Sequence, residues 1–65
     1  MQVVINGQDE TVTETTLEEL CKRFNEDPSA VATAVNGDFV ALQERSQVVL
    51  QAHDRIEILS PRSGG

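Results

Sequence analysis

Sixty-five residues leave room for one domain and no more. A domain of that size buries only about 60% of the surface its unfolded chain exposes, so its core is thin and excludes a deep cofactor site. Eleven Asp and Glu against five Lys and Arg give a formal charge of −6, which disfavours nucleic acid and anionic membrane and favours a protein partner with a basic face.

The single cysteine rules out an internal disulfide and fits a reducing compartment. No segment has the form of a signal peptide or the ~20 apolar residues of a membrane span. The expected location is therefore cytoplasmic.

In chain order, residues 1–5 are short and β-branched, and Asn6-Gly7 follows them. Asn-Gly between strand-like runs signals a hairpin, because both central residues of a type I′ turn need positive φ. Residues 8–13 supply the polar return strand. Alternation puts Met1, Val3 and Ile5 on one face and leaves Val4 on the other with Gln2. Thr16-Leu17-Glu18-Glu19 has the form of a capping box. Leu17, Leu20, Cys21 and Phe24 then recur at helical spacing, with Lys22 and Arg23 placed to complement the helix dipole. Asn25-Glu26-Asp27-Pro28 stops the helix.

Residues 31–35 read as a strand with Val31, Thr33 and Val35 on one face. Asn36-Gly37 marks a second tight turn, and residues 38–42 supply its partner strand with Phe39 and Val40. Val48, Val49 and Leu50 in the mixed stretch 43–52 are expected to tuck under the sheet edge. His53-Asp54 turns into a closing strand over 55–59, where Ile56 and Ile58 alternate with Arg55, Glu57 and Leu59. This order predicts an α+β fold with the helix on one face of the sheet. Residues 1–60 form the expected domain, and 61–65 a flexible tail.

Few groups are candidates for chemistry. Cys21 lies on the apolar stripe, where a free thiol behaves as a small hydrophobe. His53 stands alone, and a metal site needs three or four converging ligands. Ser63 has no neighbouring base, and the glycines show no phosphate-loop spacing. No catalytic, cofactor-binding or metal-ligating residue is therefore assigned.

What remains is the end, Pro61-Arg62-Ser63-Gly64-Gly65. The Gly65 carboxylate is anionic at neutral pH and able to attack an activated phosphate, and two glycines pass a narrow tunnel and adopt any required φ/ψ. A frayed terminus fits the tail alone equally well. Leu59, on the solvent face just before the tail, and Val4, on a first strand that would neighbour the last, are candidates for an apolar docking patch.

The hairpin start, the Thr-Leu-Glu-Glu-Leu helix, the Ala-Val-Asn-Gly turn, the Asp-Arg-Ile-Glu-Ile strand and the Gly-Gly end together resemble the ThiS family of sulfur carriers in thiamine biosynthesis. The likeness runs from Met1 to Gly65. Val40-Ala41-Leu42-Gln43 departs from the Val-Pro-Arg run common there.

The resemblance implies a ubiquitin-like β-grasp fold, a mixed sheet of about four to five strands around one main helix, with first and last strands adjacent and parallel. It also implies a carrier that is not itself an enzyme. A ThiF-type adenylyltransferase, holding ATP and magnesium that this chain does not bind, adenylates the Gly65 carboxylate. A sulfur relay fed by a cysteine desulfurase displaces AMP to leave a thiocarboxylate, and a ThiG-type thiazole synthase consumes it. Arg62, Ser63 and Gly64 are the residues threaded into the partner. A carrier of the molybdopterin-synthase type and a ubiquitin-like protein modifier are the alternatives.

Overall fold

Five strands and one helix frame residues 1–60, the part of the chain that the computed structural model describes; the tail expected at 61–65 lies outside the described residues. The strands are β1 (Gln2–Ile5), β2 (Gln8–Thr11), β3 (Ala32–Val35), β4 (Asp38–Val40) and β5 (Arg55–Leu59), and the helix is α1 (Leu17–Phe24). Both Asn-Gly turns form as the sequence demands. Asn6, Gly7, Asn36 and Gly37 all have φ between 51° and 89°, and the closing pairs are Ile5 with Gln8 and Val35 with Asp38.

The sheet order is β2-β1-β5-β3-β4. β1 and β5 run parallel and the other neighbours antiparallel. This is the mixed β-grasp sheet, with the last strand at its centre. One face carries Val3, Ile5, Val40, Ile56 and Ile58, which meet Leu17, Leu20 and Cys21 of α1 together with Val12 and Leu50.

α1 is short, and its ends are closely capped. The Thr16 hydroxyl accepts from the Glu19 amide at 3.2 Å. The Glu19 carboxylate reaches one residue further back than a capping box requires, accepting from the Thr15 amide at 3.1 Å and its hydroxyl at 3.0 Å. At the other end, the Asn25 amide and side chain both donate to the Cys21 carbonyl. Eight residues make barely two turns, too short to stand without packing. The fourth position of the expected stripe, Phe24, accordingly lies outside the core: it is exposed, with the Arg23 guanidinium 5.0 Å above its ring.

Three expectations need correction. Val31 precedes β3 instead of opening it, because Pro28 starts a one-turn 3₁₀ helix (Pro28–Ala30) in which proline's fixed φ fits. β4 ends at Val40, and Leu42–Gln47 is a second 3₁₀ helix where strand and mixed coil were expected. Of the 48–50 cluster, Leu50 is buried and Val48 packs on the core, but Val49 is exposed. The segment pairs with the approach to α1, Leu17 N–H donating to the Val48 carbonyl and Leu50 N–H to the Thr15 carbonyl.

Arg45 explains both 3₁₀ segments. It is 2% exposed, and its guanidinium donates to the Thr33 hydroxyl at 3.0 Å and to the carbonyls of Pro28 at 2.8 Å and Val31 at 2.6 Å. The Thr33 hydroxyl in turn donates to the Val40 carbonyl at 2.8 Å. One side chain from the second 3₁₀ helix thus ties down the first, the start of β3 and the end of β4. No buried side-chain N or O among the described residues lacks a partner.

Replacing Arg45 by Ala leaves two carbonyls and a hydroxyl without their donor. The expected loss is about 2–4 kcal/mol in urea unfolding; a loss within error of zero would show that water substitutes freely.

The helix cap has a pH signature. The Thr15 amide, then its hydroxyl, hold the Glu19 carboxyl below its ordinary value near 4.5. A pKa lower in the folded than in the unfolded chain gives stabilisation that is present above the unfolded value and lost as pH falls through the folded one. Thermal midpoints should therefore fall less steeply on acidification for Glu19→Gln than for the parent, and parallel acid limbs would remove this cap from the account.

Candidate functional site

The sheet face turned away from α1 carries Val4 from β1, Ala32 and Ala34 from β3, Phe39 from β4, and Arg55, Glu57 and Leu59 from β5. The ladder registers fix this sharing: Val4 is opposite Arg55, Ala32 opposite Leu59, Ala34 opposite Glu57, and Phe39 opposite Ala34. An open depression of about 690 Å³ runs over β5 on this side. It is lined by Val4, Leu59, Arg55 and Glu57 and bounded by the two Asn-Gly turns.

Val4 and Leu59 share that depression without touching as a patch. Leu59 lies four residues along β5 from the register of Val4, roughly 13 Å at strand rise, and the exposed Arg55 and Glu57 stand on the same face. The surface is therefore amphipathic, with an acid and a base at its middle. Sequence reading passed over Phe39, which is 72% exposed and faces the same way; the signal was its alternation with the buried Val40.

β5 is held on this face by two asparagines. β1 stops at Ile5, and beyond it the Asn6 side chain does the work of a strand residue. Its amide nitrogen donates to the Ile58 carbonyl at 3.0 Å and its oxygen accepts from the Ile58 amide at 2.9 Å. Across the strand, the Asn36 oxygen accepts from the Arg55 amide at 3.0 Å, and its nitrogen donates to the Asp54 carboxylate at 3.0 Å. The residues chosen for left-handed turns thus also fix both ends of the strand that leads to the tail.

The other candidate groups keep structural roles. Cys21 is fully buried, and burial pushes its thiol up, with the Arg45 charge acting the other way. His53 is an exposed turn residue at φ 71°, its amide bonded to the Gln2 carbonyl. Among the described residues, no three His, Cys, Asp or Glu side chains gather where a metal ion would fit, and no helix is long and apolar enough to cross a membrane. Arg62, Ser63, Gly64 and Gly65 lie outside the described residues.

A family model described as the ThiS family matches residues 3–65. The chain belongs to the ThiS family. A crystal structure described as thiamine biosynthesis protein (ThiS) from Geobacter metallireducens is similar at 20% identity, with a TM-score of 0.82 over 92% of this chain and 93% of that one. That likeness establishes the fold. Among curated protein sequences, none matches significantly. The ThiS-family match extends to Gly65.

Leu59 makes a clean separation of surface from core. Its exposure means that Leu59→Asp should change the unfolding free energy by no more than about 0.5 kcal/mol, whereas Ile58→Asp one residue earlier should prevent folding. A large loss for Leu59→Asp would mean that Leu59 is covered in solution.

Proposed function

We propose that this chain is a sulfur carrier of thiamine biosynthesis, in which the Gly65 carboxylate is the group that reacts. The observation that carries the proposal is the ThiS-family match over residues 3–65, which includes the Gly-Gly end. The physical chemistry is consistent with it. A carboxylate oxygen is a poor leaving group, so the carboxylate first attacks the α-phosphorus of ATP and expels pyrophosphate. A persulfide then attacks the acyl carbon of the adenylate and AMP departs. A second thiol cleaves the resulting acyl disulfide, forming a disulfide with the sulfur donor's thiol and leaving a thiocarboxylate that a thiazole synthase uses as sulfur donor.

ATP and its magnesium are substrates of a ThiF-type adenylyltransferase, and a cysteine desulfurase supplies the sulfur. The chain is a protein co-substrate of these enzymes and no catalyst itself, acting in the cytoplasm where thiols stay reduced. Arg62, Ser63 and Gly64 are the segment that enters the adenylating site. The depression around Val4 and Leu59 is the proposed docking face, with Phe39 added to it, and Arg55 and Glu57 supply registration by charge. The net charge of −6 suits a partner whose approach surface is basic.

ATP–pyrophosphate exchange with the cognate adenylating enzyme tests this directly. The full chain should support exchange, and the chain lacking Gly65 should abolish it while keeping the parent's thermal midpoint. Leu59→Asp should weaken binding to that enzyme about tenfold or more, as loss of an anchoring apolar contact does. Undiminished exchange without Gly65 would refute the reading of the tail, and unchanged affinity would remove Leu59 from the docking face.

A further inference from the structure

Both left-handed turns are Asn-Gly, and each asparagine holds β5 through its carboxamide. Asn-Gly is also the dipeptide most open to intramolecular imide formation, since glycine has no side chain to shield its backbone nitrogen. In these two-residue hairpins the ladder closes at Ile5–Gln8 and Val35–Asp38, leaving Gly7 and Gly37 as turn residues between the paired positions. Reactive sequence and structural clamp therefore coincide at the same two side chains.

We propose that Asn6 and Asn36 are latent hydrolytic modification sites, which the fold keeps unreactive by bonding their carboxamides to β5, and whose conversion to aspartate or isoaspartate unlocks that strand. The step needs water and base alone. The glycine backbone nitrogen gives up its proton and attacks Cγ of the preceding asparagine. The new C–N bond closes a five-membered imide while the Cγ–Nδ2 bond breaks and Nδ2 leaves as ammonia. Water then opens the ring at either carbonyl, restoring one peptide bond and producing one carboxylate. No oxidation state changes.

Attack requires Cγ to swing onto the following nitrogen, which breaks two hydrogen bonds at each site, so the folded chain reacts slowly. The product cannot return to its place. At position 6 a carboxylate oxygen would replace the donor that lies 3.0 Å from the Ile58 carbonyl, setting acceptor against acceptor. At position 36 a carboxylate would face the Asp54 carboxylate across the same 3.0 Å. Isoaspartate also adds a methylene to the backbone of a two-residue turn. Each product loosens the strand that precedes the tail.

The test uses the full chain at mildly alkaline pH, folded in buffer and unfolded in urea, with peptide mass mapping of the amide-to-acid change at each position. Two hydrogen bonds of ordinary net worth predict conversion at least about tenfold slower in the folded protein at both sites. Asn6→Asp and Asn36→Asp, as mimics of the products, should each lower the thermal midpoint. The Asn36→Asp loss should shrink on acidification as its carboxyl takes up a proton beside Asp54. Equal conversion rates in buffer and urea would overturn the proposal, as would parental midpoints in both variants. Should Asn6→Asp not fold, Asn36→Asp and the two conversion rates decide.

Discussion

The last strand of the sequence is the middle strand of the sheet, and most of the structure follows from holding it there. β5 pairs parallel to β1, fifty residues earlier, and antiparallel to β3. A parallel neighbour cannot be reached by a hairpin and needs a long crossover; here the crossover is almost the whole protein, with α1 covering one face on the way. The arrangement puts the last described strand at the centre of the sheet. The strand that leads to the tail is thereby anchored on both sides, while its outward face stays open between Val4, Phe39 and Leu59.

So short a parallel pairing, two register pairs between β1 and β5, would hold poorly alone. Asn6 lengthens it by offering its side-chain amide as if it were another peptide group, and Asn36 does the equivalent service at Arg55. Arg45 solves a different problem. The connections either side of the β3–β4 hairpin are irregular, and their carbonyls turn inward where water is scarce. A buried guanidinium with several donors satisfies Pro28, Val31 and Thr33 together. Three polar side chains thus keep in place what a thin apolar core could not hold, each directed at backbone.

Much of this was legible from residues in order. The Asn-Gly pairs, the Thr16 cap, the helix stripe and the alternation of Ile56 and Ile58 each state a local preference that the fold obeys. What escaped was non-local. Nothing in the spacing of Arg45 distinguishes a buried hub from a solvated charge, so the 3₁₀ segments it organises read as strand or coil. Phe24 and Val49 looked like core by type, yet the short helix and the 48–50 pairing leave both outside. At the candidate site, Val4 and Leu59 were placed on one face correctly, but the charges on that face and the exposure of Phe39 depend on strand order, which periodicity does not give.

A carrier built this way divides its labour. The domain fixes β5 and presents an amphipathic face, and the group proposed to react is the Gly65 carboxylate. Membership in the ThiS family and a β-grasp domain with its last strand at the centre both fit that division. Intact mass measurement of the full chain, after incubation with ATP, a ThiF-type enzyme and a sulfur source, tests it most directly. The account predicts replacement of one oxygen by sulfur, confined to Gly65. An unchanged mass under conditions that convert another member of the family, or attachment of the chain to other proteins through Gly65, would contradict it.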